Sequence, residues 1–206
     1  MFAWLRNFFS RLFGGKDQIA LGIYGPPNTG KTTLANVISE EFTGEKLGNV
    51  SEIPHETREV KRKEKVTLET DGYKITMNLL DMPGISTKVD FEEFMDYGMG
   101  EEEAKVRSKE ATRGVVEAIN WLDNVDVVIV VLDSTRKPYN QVNVTILGNL
   151  EAKDIPIILV ANKIDLAEAN PEAIRETFPQ YSFAKISAKE EENINELYSE
   201  IIESTK

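Results

Sequence analysis

The chain of 206 residues carries 35 acidic and 24 basic side chains, a formal charge of −11, with 41% apolar and 29% charged content. That length suits one domain with a full hydrophobic core, and the acidic balance argues against direct nucleic-acid binding, which needs basic surface to neutralise phosphates. The lack of cysteine excludes disulfides and thiolate chemistry and fits a reducing cytosol, while a single histidine, His55, excludes a multi-histidine metal site.

The opening stretch, "MFAWLRNFFSRLFGG", has a character of its own. Residues 1–16 contribute +3 through Arg6, Arg11 and Lys16, which leaves −14 for the remainder. On a helix at about 100° per residue, Phe2, Trp4, Leu5, Phe8, Phe9, Leu12 and Phe13 fill one half, and Arg6, Asn7, Ser10 and Arg11 fill the other. Basic residues opposite Trp and Phe describe a helix lying in a membrane interface. The competing reading is a helix packed on its own domain or on a partner. Arg6 and Arg11 break up any signal-peptide core. Gly14-Gly15 closes the leader, so the organisation reads as a leader over 1–15 and a globular domain over 16–206. The longest apolar run, residues 127–132, falls far short of the ~20 residues that span a bilayer.

After the leader, β-type and helical patterns alternate. "IALGIYG" (19–25) reads as a buried strand ending in a glycine turn, and "TGKTTLANVISEEF" (29–42) has helical spacing. Between them, "GPPNTGKT" (25–32) fits G-x-x-x-x-G-K-[ST], in the strand-to-helix context that lets backbone N–H groups cradle phosphates. Here Lys31 would reach the β- and γ-phosphates and Thr32 would bind Mg²⁺. Residues 65–81 read as two strands around Asp71-Gly72, a hairpin signal. The second strand ends in "DMPG" (81–84), where Asp81 can hold the metal and Gly84 can offer its N–H to a γ-phosphate, although D-x-P-G is also an ordinary turn.

Helical patterns follow near 101–122, 140–153, 171–178 and 191–204. The β-branched runs 125–133 and 155–163 read as central parallel strands covered on both faces. The second ends in "NKID" (162–165), where the Asp165 carboxylate can accept two hydrogen bonds from guanine that adenine cannot supply. A weaker strand over 181–188 ends in "ISAK", placing the Ala188 N–H to contact the guanine O6. The pattern predicts an α/β fold, a six-stranded, mostly parallel sheet with one antiparallel strand and helices on both faces.

With "GPPNTGKT", "DMPG", "NKID" and "SAK" in order, each at a strand's carboxyl end, residues 19–205 resemble a translation-factor-class GTPase. The "PN" of the phosphate loop and "TR" at Thr57-Arg58 resemble the Era-like subgroup. The resemblance implies a P-loop NTPase of the Ras-like G-domain type, binding GTP or GDP with Mg²⁺. It implies nucleotide contacts from Gly25, Pro26, Pro27, Asn28, Thr29, Gly30, Lys31, Thr32, Thr33, Asn162, Lys163, Asp165, Ser187, Ala188 and Lys189. The metal would be held by Thr32, Asp81 and the switch I threonine, assigned to Thr57 with Thr43 and Thr67 as alternatives. His55 reads as a mobile-loop side chain rather than a catalyst.

Lys31, Thr57, Gly84 and Asn28 are the candidate catalytic residues. Ras-like enzymes orient the attacking water with a glutamine after D-x-x-G; here that position is Ile85, which cannot hydrogen-bond a water. Similar GTPases recruit K⁺ through the phosphate-loop asparagine, which Asn28 matches, or a partner's residues; a purely structural role for Asn28 is the alternative. Slow intrinsic GTP hydrolysis follows. The long segment after "DMPG" holds switch II, and Phe91, Phe94, Met95, Tyr97 and Met99 either form an effector surface within 85–110 or pack back on the domain.

Era-type ribosome-assembly proteins carry an RNA-binding KH domain after the GTPase, whereas this sequence ends at Lys206, one helix past "ISAK". The leading expectation is therefore a nucleotide-dependent switch in the cytoplasm, peripheral at the inner membrane face through residues 1–13 on anionic lipid. It resembles Arf-like GTPases in that respect at the level of fold alone. An Era-type ribosome-assembly GTPase and a GTP-dependent scaffold with negligible hydrolysis are the alternatives.

Overall fold

The computed structural model describes residues 19–51, 55–57, 59–70 and 73–203; the leader lies outside them. Six strands form one sheet: β1 (Ile19–Tyr24), β2 (Lys61–Thr70), β3 (Tyr73–Asp81), β4 (Val127–Asp133), β5 (Ile157–Asn162) and β6 (Ser182–Lys185), in the order β2-β3-β1-β4-β5-β6. All neighbours run parallel except β2 and β3, which pair antiparallel. Every residue of β4 is buried, which is why that strand reads as an unbroken apolar run.

The helices are α1 (Lys31–Thr43), α2 (Phe91–Met95), α3 (Glu101–Asn120), α4 (Gln141–Glu151), α5 (Pro171–Thr177) and α6 (Ile194–Glu203), with a 3₁₀ turn at Trp121–Asn124 after α3. Alternation along the strands divides the core. Leu21, Ile23, Ile129, Val131 and Val160 pack with Leu34 and Ile38 of α1 and Leu197 of α6. On the other face Val128, Val130, Leu132 and Leu159 meet Ala118 of α3, Leu147 of α4 and Ile174 of α5. No helix among the described residues is long and apolar enough to cross a membrane.

Two elements differ from expectation. β2 starts at Lys61 rather than Lys65 and carries a bulge between Lys63 and Val66. Lys61-Arg62-Lys63-Glu64 shows no apolar alternation because this is an edge strand, where charge discourages pairing with another chain. The five-residue α2 is an unanticipated helix, capped by Asp90, whose side chain accepts from the Glu92 N–H at 3.3 Å. The spacing Asp90-x-x-Glu93 is the sequence signal that announces it.

Register places the functional loops together. Ile23 pairs with Asp81, and Asp133 with Asn162, so β1, β3, β4 and β5 end along one edge of the sheet.

Candidate functional site

The phosphate loop turns at two glycines that nothing larger can replace. Gly25 has φ +146°, and a Cβ there would lie 2.3 Å from the Val131 carbonyl oxygen; Gly30 has φ +92°, and its Cβ would lie 2.2 Å from Asn162 Nδ2. The first helical bond of α1 runs from the Leu34 N–H to the Gly30 carbonyl, so the amides of Lys31, Thr32 and Thr33 belong to the exposed dipole end that favours anions. Lys31 is buried, and its ammonium donates to the Pro26 carbonyl at 2.8 Å. Burial lowers its pKa to about 8, with Asp81 pulling the other way.

Three side-chain oxygens meet at the start of α1. Thr32 Oγ1 donates to Asp81 Oδ2 at 2.8 Å and lies 3.0 Å from Thr57 Oγ1. Asp81 is fully buried, and its Oδ1 has no hydrogen-bond partner among the described residues. Burial raises its pKa, opposed by the Thr32 hydrogen bond and by Lys31 and Lys61. Hydroxyl and carboxylate oxygens with one orphaned acceptor are a donor set that suits a hard cation such as Mg²⁺. Of the three threonines considered, Thr57 is the one that meets Thr32. Thr43 spends its hydroxyl on the Ser39 carbonyl at the end of α1, and Thr67 sits in the hairpin opposite Thr76.

The segment carrying Thr57 is clamped to α3 and α2. Arg107, buried on α3, donates to Glu56 at 2.5 Å, and the His55 ring lies 6.3 Å from that of Phe94. His55 corrects an expectation: it is not a loose loop side chain but 4% exposed, at φ +56°. Burial and the nearby Lys31 lower its pKa to about 4, against a hydrogen bond to the Gly84 backbone. No sequence signal marks this burial, because it depends on Phe94 from a distant segment.

The switch II residues divide between the two expected roles. Phe94 is fully buried with Ala104 and Ala111, and Phe91 and Met99 pack against them. Met95 and Tyr97 remain 41% and 47% exposed, so of these five residues that pair is left for an apolar surface. Ile85, at the position where a water-orienting glutamine would stand, is buried among Tyr24, Leu80 and Met82. Its N–H donates to the Gly25 carbonyl, while Gly84 lies close against the Pro27 backbone. Asn28 adopts φ +60° and lines the phosphate pocket beside Lys31, Thr57 and Gly84.

At the base end, Asn162 joins three loops. Its Nδ2 donates to the Thr29 carbonyl at 2.8 Å, and its Oδ1 accepts from the Ala188 N–H at 2.9 Å. The Ala188 amide, expected to face guanine O6, is therefore held by Asn162 in this structure. Lys163, at φ +70°, donates to buried Asp133 at 2.6 Å. Burial raises the Asp133 pKa, but the Lys163 and Thr135 hydrogen bonds outweigh it and hold the carboxyl below its usual range. Ser187 donates to Asp165 at 2.6 Å, which leaves the exposed carboxylate oriented at the loop edge. Lys189 is exposed and pairs with Glu190 at 3.6 Å.

The family described as a 50S ribosome-binding GTPase matches residues 20–163, from the phosphate-loop strand into "NKID". The chain belongs to this GTPase family. Its curated relatives include GTPase Era of Clostridium novyi, 33% identical over 184 residues, covering 86% of this chain and 52% of that protein. GTPase Der of Sulfurihydrogenibium sp. is 31% identical over 198 residues, covering 91% of this chain and 38% of the relative. The chain thus spans about half or less of the length of these relatives.

Among solved structures, an Aquifex aeolicus Era variant bound to GDP·AlF4− matches with TM-score 0.67 at 23% identity, covering 91% of this chain and 56% of that one. Era in complex with MgGDPNP and a stretch of 16S ribosomal RNA matches with the same TM-score at 22% identity. These likenesses bear on the fold, which is that of a Ras-like G domain. In sequence and fold together, the described residues form an Era-like GTPase domain.

Proposed function

We propose that this Era-like G domain binds GTP and GDP with Mg²⁺, hydrolyses GTP slowly and acts as a nucleotide-dependent switch at the cytoplasmic face of a membrane. The observation that carries the nucleotide part is the meeting of Thr32, Thr57 and Asp81 beside the phosphate loop, with Asp165 held by Ser187 in the loop after β5. Thr32, Thr57 and Asp81 would hold Mg²⁺; when bound, the ion neutralises charge on the β- and γ-phosphates. Lys31 binds the same phosphates, Gly84 offers its amide to the terminal one, and Asp165 selects guanine.

Slow turnover follows from Ile85, whose buried side chain offers no hydrogen bond to water. Asn28 would hold K⁺, a role supported by its place in the lining of the phosphate pocket. Comparing hydrolysis in potassium and sodium salts tests this; equal rates remove the role. The membrane part rests on the pattern of residues 1–13, a basic and aromatic amphipathic stretch, with residues 85–110 as the effector surface.

The deciding experiment pairs titration of fluorescent GDP, with ADP as competitor, with sedimentation on anionic liposomes. The intact protein and a form lacking residues 1–15 are loaded with GDP or a non-hydrolysable GTP analogue. GDP binding that ADP does not displace, and liposome binding by the intact protein alone, are the expected results. No sedimentation in either nucleotide state would refute the membrane role while leaving the GTPase reading intact.

A second reading, ribosome assembly, is favoured by the family's description as ribosome-binding and by the rRNA in the Era complex. Against direct RNA contact stands the −14 charge of residues 17–206. Co-sedimentation with 50S and 30S subunits in each nucleotide state separates the two readings.

A further inference from the structure

Attack on a terminal phosphate needs a group that fixes the water by accepting its hydrogen bond. The geometry points to His55 as the residue that orients the attacking water, an inference that rests on the GTPase reading above. His55 lines the phosphate pocket together with Asn28, Lys31, Thr57 and Gly84. It stands two residues before Thr57, so the backbone that brings Thr57 to Thr32 also brings the imidazole to the Gly84 side of the pocket.

The ring is held rather than free. The Gly84 backbone hydrogen-bonds it, Phe94 packs beside it with rings 6.3 Å apart and inclined at 50°, and only 4% of the residue is exposed. Yet Nδ1 is buried without a hydrogen-bond partner among the described residues. Buried polar groups are nearly always paired, so an orphaned Nδ1 beside the phosphate pocket leaves room for a partner from outside the protein. The left-handed backbone at φ +56° is a further local cost, of the kind that clusters at functional sites.

In the reaction, the oxygen of water bonds to the γ-phosphorus as the bond from phosphorus to the β–γ bridging oxygen breaks. The electron pair of that bond leaves with GDP, and both protons of the water end on the released phosphate, giving dihydrogen phosphate. His55 accepts a hydrogen bond throughout and takes no proton in the net reaction. It supplies the acceptor that Ile85 cannot.

The test compares wild type, His55→Ala and His55→Gln in single-turnover GTP hydrolysis, GTP and GDP affinity, and formation of the GDP–AlF4⁻ complex by fluorescence. His55→Ala is expected to slow turnover at least about tenfold and to lose the AlF4⁻ complex, with nucleotide affinities within about threefold of wild type. His55→Gln, which retains an acceptor, recovers both readouts. Wild-type turnover and complex formation by His55→Ala would overturn the inference. So would a parallel loss of GDP affinity, or a glutamine variant no better than alanine. A wild type that neither binds nor hydrolyses GTP would overturn the GTPase reading itself.

Discussion

Asn162 offers a sharp test of how the two ends of the nucleotide site are joined. Its amide is 3% exposed and makes two buried hydrogen bonds, to the Thr29 carbonyl and from the Ala188 N–H. Asn162→Ala deletes both and leaves each partner without its bond in a place water reaches poorly. At about 1–3 kcal/mol for each stranded group, the loss is about 2–6 kcal/mol, a large part of the ~5–15 kcal/mol that holds a domain folded. The control is Asp165→Asn, three residues on and exposed, which keeps an acceptor for Ser187 and is expected to stay within about 1 kcal/mol of wild type. Urea unfolding of the nucleotide-free proteins measures the stability change, and titration with fluorescent GDP measures its effect on binding. Asn162→Ala should lose both stability and affinity; Asp165→Asn should lose affinity alone. An unfolding free energy for Asn162→Ala within 0.5 kcal/mol of wild type would refute the assignment of Asn162 as the joint between the loops.

Three further outcomes follow from the same geometry. Asp165→Asn should weaken GTP at least about 100-fold and gain affinity for xanthosine triphosphate, measured by competition; unchanged GTP affinity would mean that Asp165 does not read the base. Thr57→Ala should slow hydrolysis and erase Mg²⁺-dependent preference for GTP analogue over GDP while sparing GDP affinity, whereas Thr43→Ala and Thr67→Ala leave that preference intact. Lys31 is held at about 8 in the fold against 10.5 as a free side chain. Between those values the unfolded chain binds more protons, so Lys31 raises nucleotide-free stability as pH climbs from about 8 to 10.5, and its burial is fully unfavourable below 8. Lys31→Met should therefore stabilise the nucleotide-free protein at pH 7 by about 2–3 kcal/mol and flatten that rise, while abolishing GDP binding; urea unfolding against pH would expose a destabilised variant and so refute the argument.

The parts of this domain that could be read directly are those fixed by local chemistry. The runs over β4 and β5 announce strands buried on both faces, and the phosphate loop needs Gly25 and Gly30 where the backbone turns through positive φ. Motif likeness points to Thr57 among three threonines, and Thr57 is the one whose hydroxyl lies 3.0 Å from that of Thr32. What escaped is tertiary. The burial of His55 depends on Phe94, and the fate of Phe94 depends on Ala104 and Ala111 lying beneath it. A segment rich in acids and glycine gives no local hint that its aromatics turn inward. The bridging work of Asn162 is equally hidden, since its partners are 133 and 26 residues away in the chain. Residues 1–13, from which the membrane role was inferred, lie outside the described part of the molecule.

The cluster around Phe94 is separate from the two cores that flank the sheet. Only a few side chains hold residues 89–111 in place, together with the Glu56–Arg107 pair and the Ser108 hydrogen bond to the Val89 carbonyl. Opening such a patch costs what the patch contributes, not what the domain contributes. A ligand therefore needs only a modest difference in affinity between the closed and open arrangements to redistribute their populations. Because Glu56 and His55 touch this patch from the same three-residue segment that carries Thr57, a displacement of Thr57 would reach it without passing through the sheet. Residues 89–111 can therefore rearrange at a cost set by this patch while the six strands stay paired.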